Sequence, residues 1–291
     1  MRGWVIMLGI TFALVVLLSA GLYVSVAHGF KSLSNSISNG NWTIDFVSGK
    51  DSETVSQSYP LNRDGKVSIK TTNGSIIITS HDRDEAVIKI IKEGTKEDFP
   101  FVEANINSSP TNLTIKTSYK KNSCHASISY ELTLPKNASV TARTTNGAIK
   151  VMGLKGQINA QSSNGSITLE DTPAILNAET TNGRISVNAD VITAQPTPIT
   201  IETTNGSISF VARSLEKNSL SLETVNGSVR VALPEVPDEK RTKSGDALDS
   251  MINSMMPGKQ RSFSISATGG GVASFEIETV NGSISVEKAG E

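Results

Sequence analysis

The chain has 291 residues, with 27 Lys and Arg against 28 Asp and Glu, a net charge of −1, and an aromatic share of only 5%. That balance excludes the basic excess of a nucleic-acid binder, and the near-zero net charge with many β-branched residues excludes a disordered tail. A single cysteine, Cys124, excludes an internal disulfide framework and a cysteine-rich zinc site.

Trp4 to Ala27 is a run of 24 residues without a charge, preceded by Arg2. As a helix it would extend ~36 Å at ~1.5 Å per residue, enough to cross a hydrocarbon core of ~30 Å. Positive charge at the N-terminal flank predicts that this end stays in the cytoplasm and that the bulk of the chain lies outside it. Residues 1–30 therefore read as a transmembrane anchor, with membrane contact through 4–27. The alternative is a signal peptide, since Ser25 and Ala27 are small residues at a cleavable spacing, which would leave a secreted or periplasmic protein. Leu18-Ser19-Ala20-Gly21 approaches a lipoprotein cleavage box but lacks the Cys that carries lipid. Residues 31–58, rich in Ser and Asn, read as a tether with one short strand at Trp42 to Val47.

From residue 59 the sequence repeats. Asn-Gly occurs eight times, and seven copies share Thr or Ser two residues before the Asn and Ile or Val two residues after the Gly: Asn73-Gly74, Asn146-Gly147, Asn164-Gly165, Asn182-Gly183, Asn205-Gly206, Asn226-Gly227 and Asn281-Gly282. The central copies are spaced by 18, 18, 23 and 21 residues. A repeat of about 20 residues indicates stacked supersecondary units. Around each copy, apolar and polar residues alternate with period two, as in Ile158 to Ser162 and Ile167 to Glu170, so each unit reads as strand, turn, strand. Asn and Gly tolerate positive φ, which predicts a tight turn. An all-β chain follows. Equal spacing and identical turns predict a β-solenoid of ~18–23-residue coils, in which Asn-Gly is a corner stacked coil on coil. The alternative is a hairpin-built β-sandwich, with each Asn-Gly a two-residue hairpin turn. The solenoid domain is expected over 59–287.

Ahead of the central array, Lys66 to Ile69, Ile76 to Ile78, Ala86 to Ile91, Leu113 to Lys116 and Ile128 to Leu134 read as strands, with Pro135 ending the last. An insert at 234–262 interrupts the array between Pro234 and the last repeat. Within it Leu248, Met251, Ile252, Met255 and Met256 fall at helical spacing. They predict a short helix that covers one side or end of the solenoid, or a Met-rich docking surface.

The residues of chemistry are sparse. His81 neighbours Asp82 and Asp84, but no second His or Cys stands at ligand spacing, so a solvated turn is expected rather than a metal site. Cys124 and His125, read as adjacent strand residues, should point to opposite faces and not act as nucleophile and base. Glu202, Glu223 and Glu278 each stand three residues before a repeat Asn and would form a partial acidic row in a solenoid, either a solvated edge or a place for a cation. Gly269-Gly270-Gly271 has no Lys-Ser/Thr after it and is not a phosphate loop. No catalytic residue, cofactor site or metal site is assigned.

Two stretches carry a family resemblance. One is Tyr59 to Lys92, with Asp64-Gly65, Thr72-Asn73-Gly74-Ser75-Ile76 and His81-Asp82-Arg83-Asp84-Glu85 in order; the other is Tyr130-Glu131-Leu132-Thr133-Leu134-Pro135 followed by serial Thr-Thr-Asn-Gly. This order resembles the bacterial putative-adhesin β-strand-repeat domain family, over about residues 55–287. The resemblance implies a right-handed, single-stranded β-helix, a non-catalytic module in membrane-anchored envelope proteins, and no catalytic residues to carry over. An adhesin or envelope scaffold whose partner is an envelope protein or a surface glycan is the expectation. A regulatory module that binds a sensor in envelope-stress signalling is the alternative, and a carbohydrate-active enzyme is the remote third.

Overall fold

The computed structural model describes residues 23–24, 43–45, 51–121, 124–192, 199–215, 218–233, 261–265, 272–281 and 283–288. Over these residues the protein is all-β, with one 3-10 turn at Phe99–Phe101. The first nine strands are β1 (Tyr23–Val24), β2 (Thr43–Asp45), β3 (Ser52–Pro60), β4 (Lys66–Lys70), β5 (Ile76–His81), β6 (Glu85–Glu93), β7 (Val102–Ser108), β8 (Asn112–Tyr119) and β9 (Ser127–Pro135). The repeating pairs follow: β10 (Ser139–Asn146) with β11 (Ile149–Met152), β12 (Ile158–Asn164) with β13 (Ile167–Glu170), and β14 (Ile175–Asn182) with β15 (Ile185–Ile192). They continue as β16 (Ile199–Asn205) with β17 (Ile208–Leu215), and β18 (Asn218–Asn226) with β19 (Val229–Leu233). Last come β20 (Arg261–Ile265), β21 (Val272–Asn281) and β22 (Ile284–Lys288).

Two large sheets hold all of them. The first runs β1-β2-β3-β6-β9-β5-β11-β13-β15-β17-β19-β22, and the second runs β20-β21-β18-β16-β14-β12-β10-β4-β8-β7. Each repeat puts one strand in each sheet and pairs in parallel with the repeats before and after it, same residue over same residue: Ile149 on Ile167 on Ile185 on Ile208 on Val229 in the first sheet. The strands on either side of an Asn-Gly therefore belong to opposite sheets. The hairpin alternative does not hold for these turns, because a two-residue hairpin pairs its own flanking strands antiparallel within one sheet.

The alternation read in the sequence decides what lies between the sheets. Ile158, Ala160 and Ser162 of β12 are buried while Asn159 and Gln161 face outward. Ala142, Ala160 and Ala178 form a column in the second sheet, set against branched residues such as Val151, Leu169 and Val187 in the first. Around this alanine column the second sheet also buries Val140, Ile158, Ile201 and Leu222, so both sheets feed one apolar core.

The ends differ from the middle. At the N-terminal end of the first sheet, β3, β6 and β9 pair antiparallel; in the second sheet the antiparallel pairs are β7 with β8 at one end and β20 with β21 at the other. Near the N-terminal end Tyr130 is fully buried, and its hydroxyl shares a 2.6 Å hydrogen bond with Thr117. Thr117 donates to Thr71 at 3.0 Å, and Thr71 to the Ile128 carbonyl at 3.3 Å. Burial pushes the Tyr130 phenol up to about 12, so it stays a neutral hydrogen-bonding group.

Several boundaries move. Residues 52–58, read as the end of the tether, are strand β3, held by nine paired residues on β6. Strand β7 was not anticipated, although Val102, Ala104 and Ile106 alternate with Glu103, Asn105 and Asn107 in the period of a strand. Arg261 and Ser262, read as the end of the insert, open β20. The rest of 234–262, with Leu248, Met251, Ile252, Met255 and Met256, lies outside the described residues. So does the apolar run 4–27, save Tyr23–Val24, which pair with Thr43 and Ile44 as strand and not helix. Among the described residues, no helix is long and apolar enough to cross a membrane.

Leu169 is wholly buried between Val151 and Val187 in the middle of its column. Leu169→Ala is expected to lower unfolding free energy by about 2–5 kcal/mol, read by chemical denaturation.

Candidate functional site

The repeat positions converge on one edge of the stack, where the chain crosses from the second sheet to the first. There the seven Asn side chains form a continuous amide ladder. Asn146 donates through Nδ2 to Asn73 Oδ1 at 2.7 Å, Asn164 to Asn146 at 2.9 Å, and Asn182 to Asn164 at 2.8 Å. Asn205 donates to Asn182 and Asn226 to Asn205 at 2.8 Å, and Asn281 to Asn226 at 2.7 Å. Two residues before each Asn, a buried hydroxyl secures the neighbouring turn. Thr144, Ser162, Thr180, Thr203, Thr224 and Thr279 donate to the carbonyl oxygens of Gly74, Gly147, Gly165, Gly183, Gly206 and Gly227 at 2.9–3.0 Å.

The glycines serve a different purpose from the one expected. Of the described repeat glycines, Gly74 alone has φ in the left-handed region, at 140°, and no repeat Asn does. At Gly147, Gly165, Gly183, Gly206 and Gly227 the constraint is close approach. A Cβ on any of them would lie well within 3.0 Å of the carbonyl oxygen of the preceding turn's glycine. Asn is present for its ladder and Gly for its missing side chain. Gly282 lies outside the described residues.

Beside this edge the second sheet holds a row of aligned positions, each three residues before the Asn of its repeat except Lys116, which joins by its register with Lys70. In stacking order it reads Lys116, Lys70, Arg143, Gln161, Glu179, Glu202, Glu223, Glu278. The acidic half contains the three residues found in the sequence and adds Glu179, whose identical offset before Asn182 was there to be read. The cationic half shares the offset, Lys70 before Asn73 and Arg143 before Asn146, but changes residue type, so it does not show as a repeat of one residue. Gln161 Nε2 donates to Glu179 Oε2 at 3.1 Å across the junction. Burial pushes the Glu202 carboxyl above the usual glutamate value, and the Glu223 and Glu179 carboxylates on either side push it the same way.

The other candidates resolve into local structure. His81 Nδ1 accepts the Arg83 backbone N–H at 2.9 Å. Asp82 is bound by Lys136 at 2.8 Å, which holds its carboxyl below the usual aspartate value, and Asp84 by Arg63 at 2.9 Å. Cys124 and His125 are not strand residues as read; they precede β9. Both turn to Asp98: Cys124 Sγ donates to its carbonyl at 3.6 Å, and the His125 backbone N–H to its carboxylate at 3.1 Å. Among the described residues no group of three or more His, Cys, Asp and Glu is placed to hold a metal.

No family model matches the chain, and no curated protein matches it. Among solved structures the chain is similar to a "putative cell adhesion protein" from Clostridium sporogenes, at 10% identity and a TM-score of 0.30, covering 80% of this chain and 98% of that one. It is also similar to a "putative adhesin" from Bacteroides fragilis, at 10% identity and a TM-score of 0.37, covering 81% and 96%. A "putative adhesin" from Parabacteroides merdae matches at 10% identity and a TM-score of 0.29, covering 84% and 98%.

Two predictions follow from the edge and the row. Gly165→Ala, despite a permitted φ, is expected to melt lower than Asn164→Ala in thermal circular dichroism. The first forces two turns apart, while the second removes two exposed amide bonds at about 0.5–1.5 kcal/mol each. Glu202 binds its proton more tightly in the folded chain, so its effect on stability becomes unfavourable as pH rises from the unfolded glutamate value through the raised one. Glu202→Gln should therefore melt above the parent at neutral pH and level with it below about pH 4, where unfolded glutamate is protonated.

Proposed function

We propose that the chain is a non-catalytic, extracytoplasmic β-solenoid held at the cell envelope by its apolar N-terminal run, where it acts as an adhesin-like surface module. The observation that carries this reading is the in-register stack. The Asn side chains of seven repeats form one ladder along an edge, and most other outward strand positions are Ser, Thr, Asn or Gln. Parallel pairing of successive units, each with a strand in each sheet, is the arrangement that winding a single chain produces. Such a rod is stiff along its axis, because each unit is hydrogen-bonded to both neighbours through backbone and side chain. Its faces offer rows of hydroxyls and amides and no cluster of acid, base and nucleophile among the described residues. That composition suits extended contact with another surface and does not suit turnover of a bound substrate.

The reading is tested by fractionating cells that make the full chain, then treating intact cells or spheroplasts with protease. The expected result is recovery with the membrane fraction and digestion of the repeat region from outside. Recovery in the cytosol, or protection of the repeats in intact spheroplasts, would overturn it.

A further inference from the structure

The charged row on the second sheet carries an inference about a partner. Its charges are sorted by sign along the stack. Lys116, Lys70 and Arg143 are exposed at one end, Glu179 and Glu223 are exposed and Glu202 half-buried at the other, and Gln161 stands at the boundary. Among the described residues, Lys116, Lys70 and Arg143 take part in no ion pair, whereas the outer cations of the first sheet are matched locally, Lys89 with Glu131 and Lys150 with Glu170. Like charges on adjacent strands at ~4.8 Å spacing repel, so sorting destabilises the isolated chain relative to alternation. At Glu202, where burial already pushes the carboxyl up, the Glu223 and Glu179 carboxylates push it further the same way.

The row is self-complementary about Gln161. One, two and three strands to one side stand Arg143, Lys70 and Lys116; one, two and three strands to the other stand Glu179, Glu202 and Glu223. We propose that this face binds a second copy of the chain, the two sheets packing face to face about a two-fold axis that runs along β12 through Gln161. That axis reverses the stacking order and keeps the row opposite itself. Arg143 of one copy then meets Glu179 of the other, Lys70 meets Glu202, and Lys116 meets Glu223, each pair twice. The rows beside it do not obstruct approach. Thr141, Asn159, Asn177, Thr200 and Ser221 on one side are short polar residues, as are Thr72, Thr145, Ser163, Thr181 and Thr204 on the other.

Seven strands at ~4.8 Å and about five residues at ~3.3 Å give a face of roughly 550 Å² per copy. That is at the low end for a stable interface, so the dimer is weak and depends on its charges. The two-fold sets the stacks antiparallel, with the N-terminal strands of the two copies at opposite ends of the dimer. On the envelope reading above, from which this step follows, the two anchors point apart. Copies on facing surfaces meet in this way, and neighbours in one membrane do not.

The experiment measures self-association of the full chain in detergent by analytical ultracentrifugation, at about 0.01 M and about 1 M salt, where the Debye length falls from ~30 Å to ~3 Å. A dimer at low salt and a monomer at high salt are expected. Arg143→Glu alone and Glu179→Arg alone should each weaken the dimer about tenfold or more, since two attractive pairs become repulsive. The double swap, and an equimolar mixture of the two single variants, should restore it. Thermal melts confirm folding, and Lys70→Glu with Glu202→Lys repeats the swap should the first pair fail to fold. A monomer under all conditions, a dimer indifferent to salt, or a double swap that fails to restore association would each overturn the interface. Reconstituted vesicles then test orientation: clustering restored by the swap supports facing copies, and dimers without clustering overturn that placement while leaving the interface and the envelope reading to their own tests.

Discussion

The distance between one turn and the next is the constraint on which the rest of the fold depends. At the Asn-Gly edge two chains approach until a glycine carbonyl sits where the next glycine's Cβ would be. The same carbonyl accepts the hydroxyl of the next unit's Thr or Ser, and the Asn amides close the outside. Three neighbouring positions thus have three separate reasons for their residue type: no side chain, a short inward donor, and an outward group that both donates and accepts. Once the turns are fixed one strand spacing apart, the residues next to them are held in register, and Ile149, Ile167, Ile185 and Ile208 stack one on another.

This edge, and not the length of chain between turns, sets the register. Asn73 and Asn146 are 73 residues apart yet share an amide bond of 2.7 Å, and Asn226 and Asn281 do the same across 55 residues. In the first interval the chain adds a layer beyond β4 and β5, with β8 and β9 parallel to them and β7 and β6 antiparallel outside these, and returns in register. Excursions of that size are tolerated because loop closure depends only weakly on loop length, whereas a misplaced turn would lose its hydroxyl, its amide and its glycine contact together.

Much of this was legible in the sequence. The strand-turn-strand unit, the stacking of identical turns and the inward residues all follow from a period-two pattern repeated around a fixed dipeptide. What was misread was the reason for the glycine, because conformational tolerance and missing volume select the same residue and cannot be told apart without the neighbouring coil. The Thr hydroxyls were seen as part of the motif, but their bond to the preceding turn is a contact between units some 15–20 residues apart. Strand β3 was lost to composition, since Ser, Thr and Gln in Ser52 to Ser58 resemble a linker until β6 supplies a partner for all of them.

A stacked repeat also turns one choice of side chain into a line on the surface, and the two sheets use that property differently. On the first sheet, opposite charges sit on neighbouring strands and neutralise one another, as Lys150 and Glu170 do at 3.1 Å. On the second, a repeat position that holds Glu in four successive units holds Gln, Arg and Lys in the preceding ones. Simple repetition would give one residue throughout, and stability of the single chain would favour alternation. The sorted order matches neither, but it matches the requirement that a line of charge be complementary to itself when reversed. Regular strand spacing is what makes that match geometrically usable, because residues at equal strand offsets from Gln161 lie at equal distances from it. The Asn-Gly edge, by holding the units in register, therefore fixes the spacing of the charges as well as the spacing of the core.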